Sequence, residues 1–241
     1  MANIQEVFER KETKYVISRQ QYGGLLKRLG DHIEPDLYPT STNCSVYYDT
    51  AEFQLVSRSI EKPIFKQKVR LRSYNVPTLD DGIYVELKKK YKGIGNKRRV
   101  AVKLKDFYRY LETRELETDN PIIKEEIDYC FDYYKLKPAL YIAYDRKSYC
   151  ATDNPSFRLT FDFDIRSRID DLRLESGDRG ELFFKNGEVV MEAKNLGAFP
   201  VWFVEMLSKM KIYPTSFSKY GYVYQQRFND IVNKTKEEYV R

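Results

Sequence analysis

The stretch "KVRLRSY", residues 68 to 74, sets Lys68, Arg70 and Arg72 on alternate positions, with Val69 and Leu71 between them. Period-two alternation marks a β-strand with one ionic and one apolar face. Same-face neighbours along a strand stand roughly 7 Å apart, so at an effective dielectric of about 20 each cation pair repels by roughly 2 kcal/mol. Two readings explain why a chain would gather charge this way. A carboxylate on a neighbouring strand neutralises a solvated face, or the cations wait for a polyanion.

Similar runs follow. "IYVELKKKY" (83–91) and "NKRRVAVKL" (96–104) flank "KGIGN" (92–96), which predicts a hairpin turn with Gly93 and Gly95 as turn residues. "LYIAYDRKSY" (140–149) and "SFRLTFDFDIRSR" (156–168) read as further strands. In the latter, Phe157, Leu159, Phe161, Phe163 and Ile165 alternate with Arg158, Thr160, Asp162, Asp164 and Arg166. Asn186-Gly187 inside "ELFFKNGEVVMEAK" predicts another hairpin.

Helical spacing appears between these runs. Ser18 is the expected N-cap of a helix carrying Leu25, Leu26 and Leu29. Asn120 and Pro121 open a second, with Ile123, Ile127, Phe131 and Tyr134 on one stripe. "FPVWFVEMLSKMK" (199–211) and "SKYGYVYQQRFNDIVNKT" (218–235) predict two more. Strands interrupted by helices without regular βαβ alternation imply an α+β, mostly antiparallel fold. If the sheet closes into a barrel, its ionic face lines the interior and helices pack outside; an open sheet with a solvated face gives the same alternation.

Hydrophobic residues make up 42% of the 241, which excludes wholesale disorder. Lys plus Arg exceed Asp plus Glu by 42 to 36, too little to imply nucleic-acid binding without a clustered distribution. Cys44, Cys130 and Cys150 are widely spaced, which predicts neither a zinc site nor a disulfide framework and fits a reducing compartment. "MANIQEVFERKETKY" lacks the apolar core of a signal peptide, and no stretch approaches the roughly 20 apolar residues of a membrane span. The expectation is a cytoplasmic protein with no membrane segment of its own, unless a membrane-protein partner tethers it. His32, the single histidine, lies in a polar connection, so chemistry that needs several histidines is excluded.

An E-x-K unit occurs at Glu12-x-Lys14, Glu86-x-Lys88 and Glu192-x-Lys194. On a strand each unit places a carboxylate and an ammonium on one face. Phosphate chemistry uses both: cations neutralise non-bridging oxygens, and a carboxylate holds a bridging divalent metal. One such unit is common on exposed strands; three, beside Arg70-x-Arg72, carry more weight. No G-x-x-x-x-G-K-[ST] occurs, so a triphosphate here is held by side chains and not by a glycine loop.

The segments "RKETKYVIS", "SVYYDT", "KVRLRSY", "VELKKK", "NKRRVAV", "YDRKSY", "FRLTFD", "VVMEAK" and "SFSKYG", in this order, resemble the VTC-type polyphosphate polymerase domain of the CYTH, or triphosphate tunnel metalloenzyme, superfamily. The resemblance covers a core of about residues 9–224 and implies one domain over 1–241, built as a closed antiparallel β-barrel, a tunnel lined by basic residues. It implies ATP and polyphosphate as substrates and Mn²⁺ or Mg²⁺ as cofactor. Carried over residue by residue, Lys14, Arg70, Arg72, Lys88, Lys97, Arg146 and Arg158 are implied phosphate ligands, with Arg58 on a less secure alignment. Arg70, Arg72, Lys88, Arg146 and Arg158 are the implied catalytic set, Glu192 the implied metal ligand, and Lys194 and Lys219 further phosphate contacts.

The chain departs from the family pattern twice. Arg10 stands where the hydrolase branch has the first carboxylate of E-x-E-x-K, which points to the polymerase branch. Ser216 stands where the polymerases carry a basic residue. The rivals are a triphosphate hydrolase of the same fold and a non-catalytic polyphosphate or inositol-phosphate sensor. A nucleic-acid binder is less well supported, because it favours an open basic stripe with exposed aromatics. Oligomeric state has no signature in the sequence.

Overall fold

The stretch 68–74 does lie in a strand, β3 (Phe65–Tyr74), with Val69 and Leu71 buried. The computed structural model describes residues 10–61, 63–92 and 94–231. The other strands are β1 (Arg10–Ile17), β2 (Ile33–Asp49), β4 (Gly82–Tyr91), β5 (Ile94–Lys103), β6 (Lys137–Ala151), β7 (Arg158–Arg168), β8 (Glu181–Leu182) and β9 (Val189–Leu196). The helices are α1 (Arg19–Leu29), α2 (Gln54–Ile60), α3 (Leu104–Thr113), α4 (Pro121–Tyr134), α5 (Val201–Lys209) and α6 (Lys219–Gln226).

The α+β class holds, but the expected closed barrel does not. Strand order is β1-β9-β7-β6-β2-β3-β4-β5, with β8 pairing β7, and among the described residues no ladder joins β1 to β5. Each outer strand has a local reason to stay apart. The Thr215 N–H donates to the Lys14 carbonyl at 2.8 Å, so a later segment meets the edge of β1. On β5, Lys97, Arg98, Arg99 and Lys103 charge the edge, and edge charge disfavours a further strand. Alternation alone could not separate the two outcomes, since an open sheet repeats with the same period.

The chain forms two compact units, each assembled from separate segments. The first comprises residues 1–41, 145–165 and 184–217. Its core packs Phe157, just before β7, Leu159 and Phe161 of β7 and Met191 of β9 with Leu25 and Leu29 of α1 and Phe203 of α5. Ser18 caps α1 as predicted: its Oγ accepts from the Gln21 N–H at 3.0 Å, and Gln21 Oε1 accepts from the Ser18 N–H at 3.0 Å. The second unit comprises residues 42–144, 166–183 and 218–241. Here the apolar face of β3, β4 and β5 packs against Phe107 and Tyr110 of α3 and Ile127 and Phe131 of α4. Each fully buried side chain of this size contributes roughly 1.5–3 kcal/mol. Asn120 Oδ1 accepts from the Ile123 N–H at 3.1 Å, so the predicted α4 cap also forms.

Two turns differ from expectation. Tyr91 pairs with Ile94, and Gly95 pairs with Lys90 inside β5 instead of turning. Gly93 itself lies outside the described residues, as do residues 1–9 of the N-terminal stretch and residues 232–235 of the last predicted helix. Asn186-Gly187 does turn the chain, with Gly187 at φ +72, but it does not close a hairpin. The strands on either side, β8 and β9, both pair with β7, at Arg166–Ser167 and at Arg158–Asp162.

Helices α2 and α3 were not anticipated. The start of α2 has no side-chain cap on Phe53, which sits at φ 56. Asp49, fully buried at the end of β2, does that work. Its carboxylate accepts from the Leu55 N–H at 2.8 Å, the Val56 N–H at 3.0 Å and the Tyr220 hydroxyl at 2.8 Å. Asp49→Ala strands these donors in the interior and is expected to lower unfolding stability by about 3 kcal/mol. Urea denaturation measures this directly; a loss below roughly 1 kcal/mol would show that α2 is held by packing alone.

Candidate functional site

In the second unit, register brings the ionic residues of three strands onto one face. Lys66 pairs with Lys90, Lys68 with Lys88, Arg70 with Glu86 and Arg72 with Tyr84. Across the next ladder Lys88 pairs with Lys97 and Glu86 with Arg99. Directly opposed side chains lie about 5 Å apart at Cβ. From the Lys66–Lys90 row to the Arg72–Tyr84 row the face therefore carries eight cations, Lys66, Lys68, Arg70, Arg72, Lys88, Lys90, Lys97 and Arg99, and a single carboxylate, Glu86.

Glu86 is 1% exposed and sits at the centre of this field. Its Oε2 is 2.6 Å from Arg70 Nη2 and 4.0 Å from Arg72 Nε, and its Oε1 is 2.5 Å from Lys97 Nζ. Burial works against its charge, but Arg70, Arg72 and Lys97 outweigh burial and bring the Glu86 pKa down to about 2. Burial likewise opposes ionisation of Tyr47, yet Arg70 and Arg72 hold its phenol below the usual value. Arg70 Nη1 donates to the Tyr47 hydroxyl at 3.0 Å. Arg72 Nη2 donates to the Tyr144 hydroxyl at 3.0 Å, and Lys219 Nζ lies 4.5 Å from the centre of the same ring. Lys68 Nζ donates to Ser218 Oγ at 2.7 Å.

Six of the expected ligands, Arg58, Arg70, Arg72, Lys88, Lys97 and Lys219, thus belong to this unit, and four of them, Arg70, Arg72, Lys88 and Lys97, share the sheet face. Arg58 does not join them. It is exposed on α2 and lines a separate cavity of about 460 Å³ with Glu52, Tyr133, Lys135 and Lys137.

The first unit gathers Lys14, Arg146, Glu192 and Lys194, in a different charge balance. Antiparallel pairing of β1 with β9 sets Glu12 opposite Lys194 and Lys14 opposite Glu192. Lys194 Nζ is 3.0 Å from Glu192 Oε2, and Lys14 Nζ is 3.6 Å from Glu192 Oε1 and 3.5 Å from Glu12 Oε1. Arg146 holds the fully buried Asp162 in a two-pronged pair at 2.6 and 2.8 Å and reaches Glu192 at 3.9 Å. Arg158 is half exposed and pairs with Asp36. Among the described residues, no group of at least three His, Cys, Asp or Glu side chains forms a metal cage. The Thr160 hydroxyl is buried without a partner, and Thr160 pairs with Glu192 in the β7–β9 ladder. One carboxylate and one neutral oxygen fit a hard divalent cation that takes its remaining ligands from water and phosphate.

Sequence reasoning missed Tyr47, Tyr144, Arg99 and Asp162. The tyrosines carry no local signal, and Asp162 was visible only as one acid in an alternating run. Strand pairing alone reveals which cation each of them meets.

The chain belongs to the VTC domain family, whose sequence profile matches residues 9–228. It is similar to the vacuolar transporter chaperone complex subunit 4 of Trypanosoma brucei brucei, with 25% identity over 214 aligned residues covering 70% of this chain and 27% of that protein. The subunit of the same name from Trypanosoma cruzi is 25% identical over 215 residues, with the same coverage. The chain therefore spans about a quarter of the length of these relatives. Its fold is similar to that of a candidate adenylate cyclase from Bacillus halodurans, with a TM-score of 0.53 and 14% identity over 87% of this chain and 95% of that one.

Glu86→Gln removes the one negative charge of the cationic face and leaves Arg70 and Lys97 without their partner. The expected cost at pH 7 is about 3–5 kcal/mol, the range for breaking a buried ion pair. Because the folded-state pKa is depressed, this stabilisation is present above the ordinary glutamate range and is lost as pH falls from about 4.5 through about 2. Urea titrations across that window should show parent and variant converging in acid. A constant difference down to pH 2 would assign the stabilisation to shape and not to charge.

Proposed function

We propose that this chain is a metal-dependent phosphotransferase that builds polyphosphate from ATP. The observation that carries the reading is the sheet face of the second unit, with eight cations against one carboxylate. Such a face is self-repelling until a polyanion lies on it, and phosphate oxygens match guanidinium forks and ammonium groups. Membership of the VTC family supports the same chemistry. The growing chain would lie along this open face and not inside a closed barrel.

In this proposal Arg70, Arg72, Lys88 and Lys97 hold non-bridging oxygens and stabilise charge on the transferred phosphoryl group, with Lys219 as a further contact. No protein nucleophile is needed, since phosphoryl transfer is served by positioning and electrostatics. In the first unit Lys14, Arg146, Arg158 and Lys194 supply cations of the same kind. Glu192, with Thr160 beside it, would hold Mn²⁺ or Mg²⁺, which when bound neutralises phosphate charge. The relatives are by name subunits of a complex, so we place this chain within a larger assembly, drawing ATP from the cytoplasm.

A non-catalytic polyphosphate sensor is the second reading, and one observation favours it. Glu192 already has Lys14, Lys194 and Arg146 around it, as expected of a carboxylate that braces a wall. Incubation of the protein with ATP and Mn²⁺, with products resolved by gel and by phosphate release, separates the readings. Polymer is expected. Free phosphate alone would identify a hydrolase, and polyphosphate binding without turnover a sensor.

Two variants sharpen the result. Lys88→Ala should weaken tripolyphosphate binding by about 1.5–3 kcal/mol, because it removes a cation from a crowded face. Titration calorimetry that shows unchanged affinity would remove Lys88 from the site. Glu192→Gln should abolish turnover while metal-free polyphosphate binding persists. Retained activity with an unaltered Mn²⁺ titration would end the metal assignment.

A further inference from the structure

The apolar face of β3, β4 and β5 runs past the helices that cover it. Phe65 pairs with Tyr91, and Tyr91 pairs with Ile94, so these residues form the last row of that face. All are exposed, Ile94 by 77% and Tyr91 by 55%. Ile64, exposed by 64%, is fixed beside them, since its carbonyl accepts from the Lys92 N–H at 2.9 Å. One and two rows further in, Lys89 and Arg98 reach Glu126 of α4 at 2.8 and 2.5 Å, which marks where helix cover begins.

The surroundings of this tip are basic. Residues 88–99, "KKKYKGIGNKRR", hold seven cations and no acid. Lys92 Nζ lies 5.5 Å from the Tyr91 ring centre, and Lys66 pairs with Lys90 one row behind. Exposed apolar groups at the end of a hairpin, backed by lysines, match the two layers of an anionic bilayer surface. Aromatic and aliphatic tips enter the interface, while lysine ammoniums stay at the headgroups, each worth roughly 1 kcal/mol near an anionic surface.

We propose that the β4–β5 hairpin tip, with Ile64 and Phe65, is a peripheral docking site for a membrane rich in anionic lipid. A protein partner fits less well. Four side chains present roughly a few hundred Å² of apolar surface, short of the about 800 Å² per partner of a stable protein interface. Among the described residues no helix is long and apolar enough to cross a membrane, so this contact is one of surface adsorption. The site is independent of the phosphate chemistry proposed above, because Tyr91 and Ile94 lie on the opposite face of the strands from Lys88 and Lys97.

The test is co-sedimentation of the whole chain with phosphatidylcholine vesicles, with and without 30 mole percent (about one lipid in three) phosphatidylserine. Binding is expected only with the anionic lipid, and it should weaken as salt is raised. Tyr91→Ser/Ile94→Ser should reduce the bound fraction at least fivefold with all lysines retained. Lys92→Glu should also reduce the bound fraction, with the apolar tip retained. Unchanged circular dichroism and unchanged tripolyphosphate affinity of the serine variant would confirm that only docking was altered. Failure of the parent to bind anionic vesicles overturns the proposal. So does full binding by the serine variant, which would assign adsorption to the phosphate-binding face alone. Parent binding to polyglutamate but not to vesicles would identify an acidic protein as the occupant and overturn it equally.

Discussion

Glu86 is the constraint around which the second unit is arranged. Without it, the middle rows of β3, β4 and β5 would bring Arg70, Arg72, Lys97 and Arg99 together with no counter-charge on their strands. Same-strand neighbours such as Arg70 and Arg72, about 7 Å apart, repel by roughly 2 kcal/mol per pair at an effective dielectric of about 20. One buried carboxylate holding Arg70 and Lys97 lets the sheet form while leaving the face strongly positive. Folding needs this compensation to be sufficient, and the proposed polyanion binding would need it to be incomplete.

The first unit solves a related problem by the opposite route. Its two E-x-K units run antiparallel, so each glutamate faces the other strand's lysine. The result is a checkerboard that neutralises itself, with cross-strand pairs each contributing roughly 0.2–1 kcal/mol. Arg146 and Asp162 are balanced in the same way. Any phosphate or metal bound here must compete with existing ion pairs, whereas on the second unit's face it enters a field already in excess. In the proposed function the second face would therefore be the stronger driver of polyanion capture, and Glu192 the residue whose role depends most on what binds.

Much of this was legible in the sequence, because period-two alternation reports strand faces directly. Arg70 and Arg72 could be assigned to one face from seven residues, and the caps at Ser18 and Asn120 from their local chemistry. What alternation cannot report is pairing. The E-x-K pattern at Glu12 and Glu192 read as phosphate chemistry, yet strand register makes the two units each other's partners. Closure of the sheet was equally hidden, since it depends on the Thr215 bridge to β1 and on the charge of β5. Helix α2 escaped notice because Asp49, which satisfies its first N–H groups, lies several residues before its start. Arg58 on that helix followed the alignment and not the geometry, and it lies in a different cavity.

Ser216 shows how the two charge regimes bear on the missing cation. It is exposed, between Thr215, whose N–H bonds the Lys14 carbonyl, and Phe217, whose carbonyl accepts from Lys14 Nζ at 3.2 Å. The segment thus satisfies one of Lys14's donors through backbone and leaves the remainder to Glu12 and Glu192. A basic side chain at 216 would add a positive charge next to an ammonium that already shares two carboxylates. With serine there, the local balance between Lys14, Lys194, Glu12 and Glu192 stays even, and Glu192 faces fewer competing cations. If the first unit binds phosphate and a divalent cation as proposed, serine at this position would lower its phosphate affinity and ease entry of the cation at Glu192.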